Sequence, residues 1–228
     1  MSADASLARI IDHWLGGSNH TPVDAAAAAD LSGRYPGAPA YFQAQRAFQR
    51  DALGPLSEGG IHQFMLFEAG FPTAGHAHEQ LPDAKVYYSD NDFDVVQPGA
   101  GLLAAYRRRV RYQTLDPTNL EDLEDLEFSP ILDTEAPIGI VLIGAAERSD
   151  DETLALVLKN FFQFSAPGSA LVMTHATPEA GDYAAFFSEW SKAFQARDGA
   201  SLNALSGEWS FDFAQVEGAP LIGGIARK

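Results

Sequence analysis

The residues best able to do chemistry stand directly after short apolar runs. Glu68 and Gly70 follow the run Ile61 to Phe67, Asp90 follows Lys85 to Ser89, Asp116 follows Val110 to Leu115, and Gly144 follows Ile138 to Ile143. A carboxylate has two oxygens with lone pairs, so an acid such as Asp90 can accept both hydroxyls of a ribose. Asp116 can accept from an exocyclic amine of adenine, and Gly70 lets the backbone approach a nucleoside closely. Acids and glycines also stand at strand ends for turn reasons, and spacing alone leaves both readings open.

Other constellations carry less. His76 and His78 stand two apart, so on a helix they point in nearly opposite directions and do not converge on a metal. The run from Asp90 to Asp94 opens like a calcium loop, but Val95 and Gly101 occupy the positions that need glycine and the closing acid. There is no Gly-x-Ser-x-Gly elbow or phosphate loop. The chain has no cysteine, which excludes disulfides, a thiol nucleophile and cysteine-ligated zinc. His175, at a strand end, reads as a structural histidine before a general base.

The elements that must position these residues alternate. Helical stretches are expected at Ala74 to Gln80, Val95 to Tyr106, Leu120 to Glu127 and Glu152 to Phe164, between strands that end with Ala170 to Thr174. Strands alternating with helices imply a mostly parallel sheet with helices on both faces. The tail predicts a helix from Tyr183 to Phe194 and a closing antiparallel pair, Trp209 to Gln215 and Leu221 to Ala226. Before the sheet, Leu7, Ile10, Ile11, Trp14 and Leu15 recur at helical spacing up to Gly16-Gly17. A second helix starts near Pro22 and breaks at Gly33 and Pro36-Gly37, and a third runs from Tyr41 to Leu53. The expectation is one α/β domain over residues 1–228, with a helical part at 1–58 and the sheet-bearing core at 59–228. Seven strands should bring Gly70, Asp90 and Asp116 to one edge.

The formal net charge of -16 opposes nucleic acid and anionic lipid. The one basic cluster, Arg107-Arg108-Arg109 with Arg111, reads as a solvated helix end. The start Met1-Ser-Ala-Asp-Ala-Ser does not resemble a secretory signal, and no apolar run approaches the roughly 20 residues that span a bilayer. A cytoplasmic protein is expected, with a small molecule as partner and a homodimer left open.

Several motifs together resemble a known family. They are Ala8-Arg9-Ile10-Ile11-Asp12-His13-Trp14-Leu15-Gly16-Gly17, Gln45-Arg46-Ala47-Phe48, Pro72-Thr73-Ala74-Gly75 with His78-Glu79, Asp90-Asn91-Asp92, Pro167-Gly168-Ser169 and Thr174-His175. In this set the chain is similar, from about Leu7 to Thr177, to the S-adenosyl methyltransferases abundant in actinobacteria. The resemblance implies a Rossmann-like class I methyltransferase fold with S-adenosylmethionine or S-adenosylhomocysteine as cofactor. It also implies N-terminal helices forming a lid over the cofactor, and a small molecule is expected in the cleft at the strand ends. The positions it assigns to the cofactor are Gly16, Gly17, Glu68, Gly70, Asp90, Asn91, Asp116 and Gly144. It names neither a catalytic residue nor an acceptor.

Three clusters depart from the family pattern. Where the family has roughly Leu-Asp-Ile-Gly-Ser-Gly, this chain has Met65-Leu66-Phe67-Glu68-Ala69-Gly70, so Leu66 stands at the acid position and Glu68 at the first glycine. Ala146-Glu147-Arg148 replaces a Leu-His-Phe pattern, and Ser18-Asn19-His20 replaces Lys-Asp-Asn. A Glu68 carboxylate about 4 Å from the cofactor's own would cost roughly 4 kcal/mol at an effective dielectric near 20. Alternatively, Glu68 replaces the lost acid and meets the cofactor's amine. Three functions follow as readings: a methyltransferase on an unidentified acceptor, a non-catalytic binding or scaffold relative, and a repurposed pocket with other small-molecule chemistry.

Overall fold

A computed structural model describes residues 5–73, 75–190 and 193–228. Met1 to Asp4, Ala74 of the Pro-Thr-Ala-Gly run, and residues 191–192 of the expected Tyr183 to Phe194 helix lie outside the described residues. Three helices come first: α1 (Leu7–Trp14), α2 (Pro22–Arg34) and α3 (Ala38–Glu58). α2 starts on a reciprocal cap. The Thr21 hydroxyl accepts from the Asp24 amide, and the Asp24 carboxylate accepts from the Thr21 amide at 2.8 Å. Pro22 suits the first turn, where its missing N–H has no intrahelical partner to lose.

The sheet and its helices follow as β1 (Gln63–Leu66), α4 (Ala77–Gln80), β2 (Lys85–Asp90), α5 (Phe93–Leu102), β3 (Val110–Thr114), α6 (Leu120–Glu124), β4 (Gly139–Leu142), α7 (Asp151–Phe164), β5 (Ala170–Ala176), α8 (Gly181–Ser188), α9 (Gly199–Leu205), β6 (Ala214–Gln215) and β7 (Leu221–Arg227). The strand order is β3-β2-β1-β4-β5-β7-β6. All neighbours are parallel except β7, which runs antiparallel to both β5 and β6. β1, β4 and β5 are buried along their whole length. That explains their near-continuous apolar runs, since helices cover both faces of the sheet.

Side chains alternate between two cores. Met65 and Phe67 point to the layer of α7, with Leu158 and Phe161, while Phe64 and Leu66 face Leu53, Val86 and Tyr88. A third cluster joins Ile10, Trp14, Tyr41 and Phe42 of the N-terminal helices to Phe186 and Phe187 of α8. No helix among the described residues is long and apolar enough to cross a membrane.

Some elements differ from expectation. α4 is one short turn that starts only at Ala77, with the His76 ring accepting from the Ala77 amide. α8 ends at Ser188. Of the expected strand Trp209 to Gln215, only Ala214 and Gln215 pair. α9, which sequence periodicity did not indicate, is capped by the Asp198 carboxylate on the Ser201 amide at 2.8 Å.

Candidate active site

The chain runs outward from β1 through β2 to β3, then returns to lay β4 on the other side of β1. The carboxyl ends of β1 and β4 therefore flank the topological switch point, where such sheets open a crevice. The loop after β1 is fastened across that crevice. The Phe67 amide donates to Val141 and the Ala69 amide to Ser89, each at 3.0 Å. The Asp90 carboxylate accepts from the Gly70 amide at 3.1 Å and from the Asp92 amide at 3.0 Å. The Tyr112 hydroxyl donates to the Gly70 carbonyl at 2.6 Å. Asp90 thus fixes both the β1 loop and its own turn.

Above these ends lies a cavity of about 370 Å³, within the range of small-molecule sites. Glu68, Gly70, Asp90, Asn91 and Gly144 line it from the sheet side. Leu7 and Ile11 of α1, Leu15 just after it, Phe42 of α3, and Phe187 and Trp190 of the α8 region make an apolar wall. Gln45, Arg46, Gln49, Thr73, His76 and Arg148 complete the lining on the polar side.

Glu68 is the one non-glycine residue with positive φ among the described residues, at 48°. The loop demands a left-handed residue at this position, a conformation that glycine takes without the steric cost of a Cβ. Its side chain forms an ion pair with Arg148, and both side chains are 23% exposed. Two of the departures from the family pattern are therefore partners. Desolvation pulls Arg148 down to about 10, which leaves it protonated at neutral pH and able to neutralise Glu68.

Gly144, at φ 71°, has no room for a side chain, since a Cβ there would stand 2.9 Å from the Gln45 amide oxygen. Glu147 is fully buried behind it and does not line the cavity. It accepts from the Tyr41 hydroxyl at 2.6 Å and the Gln45 amide at 3.2 Å, tying α3 to the β4 loop. Burial and the Glu147 charge push the Tyr41 phenol well up.

Gly16, Gly17 and Asp116 are not among the residues lining the cavity. Gly17 lies against the Asp12 carboxylate, where a Cβ would come within 2.1 Å of an oxygen. Asp116 is exposed and closes its own turn, accepting from the Thr118 amide at 2.9 Å and hydroxyl at 2.7 Å. His76 and His78 are engaged separately, the first on the Ala69 carbonyl at 3.3 Å and the second on the Tyr88 hydroxyl at 2.9 Å. His175 is buried, with Nδ1 donating to the Ala176 carbonyl and Nε2 accepting from Arg197 at 3.0 Å. Arg109 of the basic cluster donates to the carbonyls of His78, Leu81 and Ala84, which binds the β3 edge to the α4 turn.

Sequence reading missed several polar cavity residues, among them Arg46, Gln49 and Thr73. Arg46 and Thr73 stand inside motifs that carry the family resemblance, which assigns them no cofactor role. Phe42, Arg46 and Arg50 share four-residue spacing, yet Arg50 is exposed while Arg46 turns inward.

The strand order, with a seventh strand inserted antiparallel beside β5 and a crevice at the ends of β1 and β4, defines a class I methyltransferase fold. A family model described as S-adenosyl methyltransferase matches residues 2–206, and the chain belongs to that family. Two solved structures agree over nearly all of both chains. A DUF574 family protein from Streptomyces avermitilis is 26% identical over 99% of this chain and 98% of its own, with a TM-score of 0.83. A protein from Thermobifida fusca described as a methyltransferase is 25% identical over 99% and 95%, with a TM-score of 0.79. An O-methyltransferase family 2 protein from Planctomyces limnophilus, 15% identical over 73% of this chain and 50% of its own with a TM-score of 0.54, shares the fold. No curated protein matches the sequence.

Proposed function

We propose that this protein binds S-adenosylmethionine in the strand-end cavity and transfers its methyl group to a small apolar acceptor. The carrying observation is the bond between Gly70 and Asp90. It sets a close-approach backbone and a ribose-accepting carboxylate side by side at the switch point, facing a cavity of suitable size. Asp90 and Asn91 would hold the ribose, and Gly70 and Gly144 would let the backbone close on the nucleoside. The cofactor supplies an electrophilic methyl group when bound. The chain's task is then to orient an acceptor against it and exclude water. α1 and α3 serve as the lid in this reading, because Leu7, Ile11, Leu15 and Phe42 give the cavity its apolar side. The whole chain acts as one domain, with its helical N-terminal part bearing on the core.

Calorimetric titration with S-adenosylmethionine and S-adenosylhomocysteine tests this. Micromolar binding that is lost in Asp90→Ala is expected, and absence of binding by the wild-type protein would refute it. One observation favours a second reading, that of a non-catalytic binding relative: the strained Glu68 side chain stands where the family's loop has glycine. Under that reading neither cofactor form binds, and Glu68→Gly restores uptake.

A further inference from the structure

Eight buried side-chain nitrogen or oxygen atoms among the described residues lack a hydrogen-bond partner. Five belong to residues lining the strand-end cavity: Arg46 Nη1, Gln49 Nε2, Thr73 Oγ1, Arg148 Nε and Trp190 Nε1. All five can donate. Buried donors are rarely left unmet, because each forfeits its bonds to water without return. A cavity wall made of unmet donors suits a ligand that is rich in acceptors.

Three of the five group together. Arg46 and Gln49 are three apart on α3 and so share a face. Thr73 and His76 line the same cavity as Arg46 and Gln49, and the His76 amide donates to the Thr73 carbonyl at 3.2 Å. Gln49 and Thr73 are each only 2% exposed. Arg46 has no ion pair among the described residues. The two acids whose fields reach it are already engaged: Asp12 accepts from the Asn19 amide at 2.8 Å, and Glu79 from the Gly75 amide at 2.7 Å. Arg148, by contrast, spends its charge on Glu68.

We infer that Arg46, Gln49 and Thr73 form a carboxylate subsite. A carboxylate brings acceptors only, with a full charge for the guanidinium, whereas an ammonium would face donors and a like charge. The inference rests on the proposed cofactor reading in one respect: the carboxylate expected there is that of the cofactor's amino-acid part. A carboxylate on the methyl acceptor would present the same chemistry, and the test separates the two.

The experiment compares S-adenosylhomocysteine with 5′-methylthioadenosine, which lacks the amino-acid part, on wild type and Arg46→Gln by calorimetry. Saturation-transfer NMR with phenylacetate, with and without S-adenosylhomocysteine, forms the second arm. Loss of charge-assisted bonds should weaken S-adenosylhomocysteine about 30-fold or more and leave methylthioadenosine nearly unchanged. Phenylacetate should then be displaced by S-adenosylhomocysteine. If S-adenosylhomocysteine binding is unchanged in Arg46→Gln, but the phenylacetate signal survives its presence and vanishes in the variant, the subsite stands and serves the acceptor. If wild type takes up neither nucleoside, the cofactor reading fails, and the phenylacetate signal with its loss in Arg46→Gln alone sustains the subsite. If both nucleosides weaken equally, or Arg46→Gln alters no ligand, the subsite is overturned. Arg46→Met supplies a readout free of ligand. Removing a buried, unpaired guanidinium should raise the melting temperature of the free protein by about 2–4 °C, and a fall would mark Arg46 as structural and overturn the inference.

Discussion

Glu68 sits at the strained point of the candidate site, and the strain can be measured apart from the ion pair. At φ 48° an L-residue pays a steric cost that glycine avoids, about 1–2 kcal/mol. Glycine gives back roughly 0.5–1 kcal/mol through its freer unfolded chain. Glu68→Gly and Glu68→Ala both delete the ion pair with Arg148, but only the glycine variant relieves the backbone. The difference between them should be roughly 0.8 kcal/mol in favour of glycine. For a chain of this length that corresponds to a melting temperature about 2–3 °C higher for Glu68→Gly than for Glu68→Ala. Calorimetry of the two variants in one buffer reads it directly. Companion measurements on Arg148→Ala and the Glu68→Ala/Arg148→Ala double variant close a cycle around the pair. Its coupling should be about 1 kcal/mol, because the two side chains are only partly shielded from water. An alanine variant that melts at or above the glycine variant would show that the left-handed geometry costs nothing, and the account of why this position wants glycine would fail.

Arg148→Ala leaves the Glu68 charge unopposed at the cavity. S-adenosylhomocysteine affinity should fall by about two to three orders of magnitude by calorimetry, and adding Glu68→Gln should recover most of it. Arg197 is 6% exposed and donates to the carbonyls of Ala146 and Ser149, to Gln195, to His175 and to Asp151. Arg197→Ala should therefore lose about 3 kcal/mol in urea unfolding, and a loss below about 1 kcal/mol would contradict the clamp drawn here. Burial, aided by the Arg46 charge, holds His76 well below 6.5, and burial outweighs the Glu147 charge to hold His175 below it. In each the folded state takes up its proton at lower pH than the unfolded chain. Their contribution is thus fully present above pH 6.5 and is lost as pH falls from there toward the folded values. Each should steepen the decline of stability by up to about 1.4 kcal/mol per pH unit, above the range where Asp24, Asp150 and Asp198 protonate. A flat unfolding free energy between pH 6.5 and 5 would count against two buried neutral histidines.

The sheet was legible because its central strands are buried on both faces, so that Phe64-Met65-Leu66 and Gly139 to Leu142 had to be apolar throughout. The stretch from Trp209 misled for a physical reason. Trp209, Phe211 and Phe213 alternate like a strand, but the side chain of Asn203 takes both backbone groups of Phe211, accepting from its amide and donating to its carbonyl at 3.1 Å each. With those groups used, the chain crosses the core without joining the sheet until Ala214. α9 escaped because seven residues with one buried side chain, Leu202, are too few to show a period. Gly70 and Asp90 could be paired from their strand-end positions alone. Gly16, Gly17 and Asp116 carry the same residue types, but the Gly16 amide donates to the His13 carbonyl, Gly17 lies against Asp12, and Asp116 accepts from Thr118.

The altered loops show why a site is harder to read than a sheet. Taken singly, Glu68 is a charge set against a carboxylate ligand, and Arg148 is an aromatic wall lost. Folding brings them together, and the pair cancels to a neutral rim. Arg46 then remains as the cavity cation with no ion pair among the described residues, on the side of Gln49 and Thr73. An anionic group on that side meets this remaining charge, while Asp90 and Asp92 line the sheet side. Sequence gives the charges, but only the fold decides which of them cancel, because partners such as Glu68 and Arg148 come from different strand ends. The glycine-to-glutamate change in the β1 loop is therefore weaker evidence against cofactor binding than its chemistry alone suggests. The pairing offsets the repulsion of several kcal/mol; what remains of the change is the backbone strain of about 1–2 kcal/mol at φ 48°, which the folded loop bears whether or not a ligand is bound.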